Sequence, residues 1–117
     1  MTGYLKEEDL AKVVASAYAL VFPSFFEGFG VPLLEAMKCR VPVITSNTSS
    51  LPEVGGTAAL YADPSNPADI AEQLKTIFKS EQLRNHLQFE GDSQVQKFNW
   101  NTTASLMWQA IEAAVSK

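Results

Sequence analysis

The chain has little of what several common kinds of functional site require. Cys39 is the one cysteine among 117 residues, which excludes an internal disulfide and favours a reducing, cytoplasmic location. No neighbour in the sequence would activate its thiol, so Cys39 is interpreted as a small helix residue near a core. His86 is the single histidine and is expected at the surface or a boundary. Without an Asp-x-Asp pair or a Cys/His cluster, we expect neither a metal nor another cofactor.

Positive charge and long apolar runs are also scarce. Nine Lys and Arg residues face thirteen Asp and Glu residues, a net charge of −4, and the basic residues are scattered. This argues against a nucleic-acid partner. The longest apolar stretch, Val13 to Phe22, is about half of what a membrane span needs, and the polar, acidic Met1 to Leu10 is no secretory signal. No transmembrane segment is expected.

Strand patterns and helix patterns alternate along the chain. Apolar runs at Tyr18–Phe22, Val41–Thr45 and Ala58–Tyr61 predict three strands, the first of them buried. Spacing and capping residues predict helices over Leu10 to Ala17, from Pro32 through Glu35, from Asn66-Pro67 to Phe78, from Ser80 to a break near Gly91, and from Trp100 to Val115. The alternation implies parallel strands flanked by helices, an α/β fold. Because three strands are few, residues 1–117 are expected to be a single domain that forms half of a Rossmann-like domain.

The last predicted helix has one broad apolar and aromatic face. We interpret this face as core packing rather than as a cofactor site, because helices normally dock through such stripes. Its members are Trp100, Ala104, Met107, Trp108, Ile111 and Val115.

The most informative stretch is a glycine loop between two carboxylates, Glu27 and Glu35. It follows the first predicted strand, and Pro32 suits the first turn of a helix, which places Glu35 about one turn in. Ligands of open α/β sheets bind at the carboxyl ends of strands. Gly28 and Gly30 would let the backbone approach an anion, and carboxylates accept paired hydroxyl groups. The stretch therefore suits a sugar nucleotide.

Structural interpretations of the same residues remain open. Glu35 lies near Lys38 on a helical wheel and would then be a solvent-facing residue paired with it. Glu27 would be a loop carboxylate that accepts a helix N–H. A glycoside hydrolase fits poorly, because its two carboxylates act from opposite sides of one bond, about 5 to 9.5 Å apart. Glu53 is placed in the first turn of a short helix. Capping or turn roles are expected for Ser24, Ser46, Ser49 and Ser50, which have no neighbouring base.

Several further stretches accompany this motif in register. They are Gly3-Tyr4-Leu5, Phe22-Pro23-Ser24, Ala36-Met37, Val41-Pro42-Val43-Ile44, Ser50-Leu51-Pro52-Glu53-Val54, Asp63-Pro64 and Phe98-Asn99-Trp100. With them, the whole chain resembles the C-terminal part of the nucleotide-binding domain of the retaining glycosyltransferases of family 4. These enzymes have the GT-B fold, two Rossmann-like domains with the active site between them. The resemblance implies transfer of a sugar from a nucleotide-diphosphate sugar to a glycan, lipid or small-molecule acceptor.

The resemblance also implies roles for individual residues. Glu27 would be the catalytic residue, in contact with the donor sugar near the reaction centre, and Glu35 would hold the ribose. The substrate-binding backbone that meets the sugar hydroxyls and the phosphate would be that of Gly28, Phe29, Gly30 and Val31.

The chain departs from the family pattern in two ways. No Lys or Arg lies between Lys12 and Lys38, so the basic clamp for the diphosphate is missing, as is the acceptor domain. We therefore expect this fragment to be inactive alone. Arg40 stands where the family usually has glycine, at a left-handed position that costs about 1 kcal/mol.

Two further expectations concern partners and location. The rival to an enzyme fragment is a free-standing, non-catalytic module that binds a nucleotide sugar or another protein. An exposed edge at Tyr18–Phe22, or the helix with Trp100 and Trp108, predicts a homodimer of the fragment. The full-length protein would be cytoplasmic or peripheral to a membrane.

Overall fold

Three parallel strands form the centre of the molecule. A computed structural model describes residues 2–116. The strands β1 (Leu20–Phe22), β2 (Val43–Ser46) and β3 (Ala59–Ala62) pair in the order β1-β2-β3. The helices are α1 (Glu7–Ala15), α2 (Val31–Lys38), α3 (Leu51–Gly55), α4 (Pro67–Lys79), α5 (Glu81–Gln96) and α6 (Trp100–Val115), and a 3₁₀ turn at Gly56–Ala58 precedes β3. The predicted α/β architecture is confirmed.

The central strand β2 separates two apolar clusters. All four of its residues are buried. Val43 belongs to the larger cluster, with residues of α2 and α3, whereas Ile44 packs with Ile77 of α4 and Leu87 of α5. Because successive side chains of a strand point to opposite faces, helices cover β2 on both sides.

The prediction that the first strand is buried was wrong. β1 begins at Leu20, two residues later than expected, and Val21 at its centre is 37% exposed. Among the strands of residues 2–116, only β2 pairs with it, so β1 is an edge strand of this sheet. Tyr18 lies outside the strand, and the Arg84 guanidinium carbon is 4.9 Å from its ring centroid.

The predicted helix break near Gly91 was also wrong. The helix α5 runs without interruption from Glu81 to Gln96. A β-carbon at the buried Gly91 would lie 3.4 Å from Cβ of Met37, so the glycine lies where α5 crosses α2 closely. Glycine inside a helix costs about 1 kcal/mol relative to alanine, yet the helix continues through this position.

The predicted helix starts at Asn66-Pro67 and at Ser80 are confirmed by their caps. The side-chain oxygen of Asn66 accepts the N–H groups of Ala68 and Asp69, and Ser80 Oγ accepts that of Leu83. These caps fix where α4 and α5 begin.

The interpretation of the α6 face as core packing was wrong. No residue of α6 is buried, and Trp100, Trp108 and Val115 are 86%, 61% and 81% exposed. The helix is well defined locally, since the Asn99 side chain accepts the Thr102 N–H at 2.9 Å. Its apolar face therefore lies in solvent. Among the helices of residues 2–116, α6 included, none combines the length and apolar character that crossing a membrane requires.

Candidate functional site

The loop from Pro23 to Gly30 joins the carboxyl end of β1 to α2, as the sequence predicts. Glu27 in this loop is half-buried, and Gly28 and Phe29 are exposed. Glu35 is the fifth residue of α2 and is exposed. Both carboxylates thus flank the loop at the carboxyl ends of the strands, where open α/β folds bind ligands.

The two glycines of the loop have different surroundings. Gly30 is buried with φ 111°, and a β-carbon there would lie 2.9 Å from Cδ2 of Leu51, which has no exposed surface. A β-carbon at Gly28 would meet nothing within 4 Å. Packing and backbone geometry therefore require glycine at 30, whereas Gly28 leaves open space beside the loop.

Hydroxyl groups of the connection between β2 and α3 hold the main chain of the loop. The Glu27 N–H donates to Ser49 Oγ at 3.2 Å, and Thr48 Oγ1 donates to the Phe25 carbonyl at 3.2 Å. Ser50 Oγ lies 2.9 Å from the Glu27 carbonyl oxygen and 2.8 Å from that of Phe29. Ser49 and Ser50 lie in a turn, in line with the expected capping or turn roles, but the Ser50 side chain does not cap α3. These partners are 21 to 23 residues apart, so no local pattern indicates them.

The two carboxylates have no protein partner in the part of the chain that the structure describes. Neither side chain takes part in a hydrogen bond or an ion pair with residues 2–116. The expected pairing of Glu35 with Lys38 is therefore absent, and Glu27 does not cap α2, whose N-terminus has no side-chain cap. Both charges remain available to a ligand.

A cavity of about 210 Å³ lies between α1 and α2, next to Glu35. Its lining is mostly apolar, and Glu35 and Lys38 are among its charged members. Ligand pockets of about 300 to 1,000 Å³ are typical, so this cavity has room for part of a ligand. Cys39 also lines it and packs against the larger core cluster, which confirms its predicted place near a core, although it lies in the turn just after α2 rather than within the helix.

Aromatic packing ties the loop to the C-terminal helices. The rings of Phe29 and Phe98 meet edge to face, with centroids 5.5 Å apart. Arg40, just after α2, has the predicted left-handed backbone with φ 57°. Its guanidinium lies 3.6 Å from the Asp92 carboxylate on α5, where both groups are largely exposed.

Other candidate residues take no part in this site. His86 is exposed, as expected. Glu53 lies exposed in the first turn of α3, its predicted place. Within residues 2–116, no three or more His, Cys, Asp or Glu side chains come together in a way that would hold a metal ion.

The fold and the loop together define a class: half of a Rossmann-like domain of the GT-B type, with an acid-flanked glycine loop at the strand ends. A comparison with family profiles agrees. The profile of the glycosyl transferases group 1 matches residues 1–93, and the chain belongs to this family.

Named relatives are consistent with this membership. O-antigen chain mannosyltransferase B of Escherichia coli is 44% identical over 98 residues, which are 84% of this chain and 26% of that protein. The serotype-specific mannosyltransferase WbdA of Escherichia coli is 37% identical over 105 residues, 90% of this chain and 13% of that protein. Sucrose-phosphate synthase from Thermosynechococcus elongatus superposes with a TM-score of 0.81 at 29% identity, over 98% of this chain and 30% of that chain. The chain thus spans a third or less of each.

Proposed function

We propose that this chain is the donor-binding part of a retaining glycosyltransferase, which moves a sugar from a nucleotide-diphosphate sugar to a glycan, lipid or small-molecule acceptor. One observation carries the proposal: Glu27 and Glu35, whose side chains have no partner among residues 2–116, lie on either side of a glycine loop that follows the carboxyl end of β1. Family membership and two relatives named mannosyltransferases support the same activity.

The site suits the charges that develop in glycosyl transfer. Positive charge grows on the sugar ring and negative charge on the leaving diphosphate. Glu27 would stabilise the ring, while the N–H groups that begin α2 would face the phosphate, with the backbone of Phe29, Gly30 and Val31 near the sugar hydroxyls. Glu35 would accept the two hydroxyls of the ribose. No step requires a metal ion or another cofactor.

We infer that this chain is inactive by itself. The N-terminus of a helix contributes about 0.3 to 2 kcal/mol toward an anion, which is too little to hold a diphosphate against water. The sequence supplies no Lys or Arg between Lys12 and Lys38 to help it. The remaining diphosphate contacts and the acceptor site would come from other parts of a full-length enzyme.

Two substitutions in the full-length protein test the assignment. Glu27→Gln removes the charge near the ring and is expected to lower kcat on the order of 100-fold. Glu35→Ala removes charge-assisted hydrogen bonds to the ribose and is expected to weaken donor binding about 10-fold to 100-fold. The control is Glu72→Gln, at a carboxylate on α4 that pairs with Lys75 in solvent.

Turnover and calorimetric donor affinity separate the possible outcomes. Wild-type turnover in Glu27→Gln would remove Glu27 from the mechanism, and wild-type donor affinity in Glu35→Ala would remove the ribose contact. Donor binding without turnover in the unmodified full-length protein would favour a non-catalytic nucleotide-sugar module.

We also propose that the isolated chain forms a homodimer, on the edge strand β1 or on α6. The exposure of Val21 and of the α6 face supports this, because unpaired edges and large apolar patches tend to associate. Light scattering tests it: a monodisperse monomer at high concentration would exclude the dimer. For the full-length protein we propose a cytoplasmic location, including the cytoplasmic surface of a membrane, and the single cysteine supports it.

A further inference from the structure

We propose that Ser49 and Ser50 are positioning residues, a clamp that fixes the direction of the Glu27 side chain for sugar transfer. The inference rests on the proposed function, because it assigns to the clamp the geometry of the residue that acts on the sugar. It adds two hydroxyl groups, both outside the glycine loop, to the machinery of the site.

The two serines hold Glu27 on both sides of its Cα atom. The Glu27 N–H belongs to the peptide plane before Cα and donates to Ser49 Oγ at 3.2 Å. The Glu27 carbonyl belongs to the following plane and shares the single Ser50 hydroxyl proton with the Phe29 carbonyl, at Oγ distances of 2.9 Å and 2.8 Å. Because each peptide plane is rigid, these contacts restrain φ and ψ of Glu27, and therefore the direction of its Cα–Cβ bond.

The loop has few other restraints. In the described chain, no main-chain to main-chain hydrogen bond involves residues 23–29. Its carbonyl groups accept from hydroxyls instead, Phe26 from Ser24 within the loop and Phe25 from Thr48 outside it. Removing a serine of the clamp would leave the Glu27 peptides without an alternative main-chain partner.

The hydroxyl of Ser50 is not used for helix capping. Ser50 occupies the N-cap position of α3, yet its side chain accepts no N–H from that helix. Ser80 and Asn66 occupy the same position of α5 and α4 and do cap them. Ser50 Oγ instead reaches the carbonyls of Glu27 and Phe29, and this contact accounts for its orientation.

The backbone of Ser49 provides a second, independent indication. Its φ is 55°, in the left-handed region that favours glycine over a residue with a side chain. Residues in such conformations cluster at functional sites. Glycine would relieve the backbone, but it would lack the oxygen that accepts the Glu27 N–H.

Substitutions in the full-length enzyme test the clamp. Ser49→Gly removes the hydroxyl while relieving the backbone, so the thermal midpoint should stay the same or rise. Ser50→Ala removes the second contact, and Ser50→Thr restores a hydroxyl. The matched control is Ser93→Ala, at an exposed serine on α5.

We expect Ser49→Gly and Ser50→Ala to lower kcat about 10-fold to 100-fold, since small misplacements of a catalytic group have effects of that size. Donor affinity should change less than twofold, and Ser50→Thr should recover most of kcat. In a Glu27→Gln background, Ser49→Gly should lower kcat no further, because it acts through the Glu27 carboxylate. A purely structural role predicts independent, additive losses.

The outcomes separate the clamp from the proposed function. If Glu27→Gln abolishes turnover while Ser49→Gly keeps kcat within twofold of wild type, the clamp is wrong and the function of Glu27 stands. Additive losses in the double variant, or no recovery with Ser50→Thr, also overturn the clamp. If Glu27→Gln retains full turnover, the proposed role of Glu27 is wrong, and the clamp, which acts through Glu27, is wrong with it. Should Ser50→Ala fail to fold, Ser49→Gly and the double variant decide the question.

Discussion

Gly30 is the residue of the loop whose substitution should affect stability most. Gly30→Ala places a β-carbon 2.9 Å from Cδ2 of Leu51 and forces a side chain onto a backbone with φ 111°. The left-handed conformation costs about 1 to 2 kcal/mol for a residue with a side chain, and overpacking in a core about 1 to 3 kcal/mol. Leu51 is fully buried and has little room to move. We therefore expect the free energy of unfolding to fall by about 2 to 5 kcal/mol in urea titrations of this chain.

Gly28→Ala is the matched control for that experiment. Its β-carbon would meet no atom within 4 Å, and its φ lies outside the left-handed region, so the free energy of unfolding should change by less than about 0.5 kcal/mol. In a full-length enzyme the added methyl group would instead stand where a donor approaches the loop and should weaken donor binding. Equal stability losses in the two variants would refute the reasoning about Leu51.

Three further substitutions test other features. Arg40→Gly should raise the free energy of unfolding by about 0.5 to 1 kcal/mol, because relief of the left-handed backbone outweighs the loss of an exposed ion pair with Asp92. Arg40→Ala keeps the strained backbone and loses the ion pair, so it should lower the free energy of unfolding. Urea titrations that find Arg40→Ala more stable than Arg40→Gly would contradict this. Ser46 Oγ is buried without a hydrogen-bond partner in the described chain, so Ser46→Ala should leave the free energy of unfolding unchanged or raise it by up to about 1 kcal/mol. A clear loss of thermal stability in calorimetry would contradict this. Hydrogen bonds from the Ser65 hydroxyl and N–H lower the pKa of Asp63 below 3.8. The ionised Asp63 therefore stabilises the fold above pH 3.8, and this contribution is lost as the pH falls through the folded-state pKa. Ser65→Ala should raise the pKa of Asp63 in an NMR titration, and an unchanged pKa would contradict the assignment.

Features set by neighbouring residues were predictable from the sequence. Apolar runs between turn residues gave three parallel strands, although their ends moved by one or two residues. Asn66 and Ser80 marked helix starts correctly, since a capping residue acts within three positions of itself. The glycine loop with Glu27 and Glu35 was placed at the correct end of a strand, because the loop directly follows β1 in the sequence.

Features set by distant residues were not predictable. Gly91 was predicted to break a helix, but α5 continues through it, and the sequence around Gly91 does not show that Met37 packs there. Ser49 and Ser50 lie in a turn, as expected, but their contacts with the Glu27 backbone were not predictable, because these partners lie more than 20 positions away. The apolar face of α6 has the pattern of a core helix, and no pattern within the helix records whether anything covers it.

The position of the two tryptophans determines how this chain is best observed. Both belong to α6 and are largely exposed, so neither indole reports on the interior. Their emission should resemble that of indole in water in the folded and unfolded states alike, which makes intrinsic fluorescence a poor measure of folding here. The same exposure makes it a sensitive, label-free signal of any partner that covers α6, through a shift of the emission to shorter wavelength.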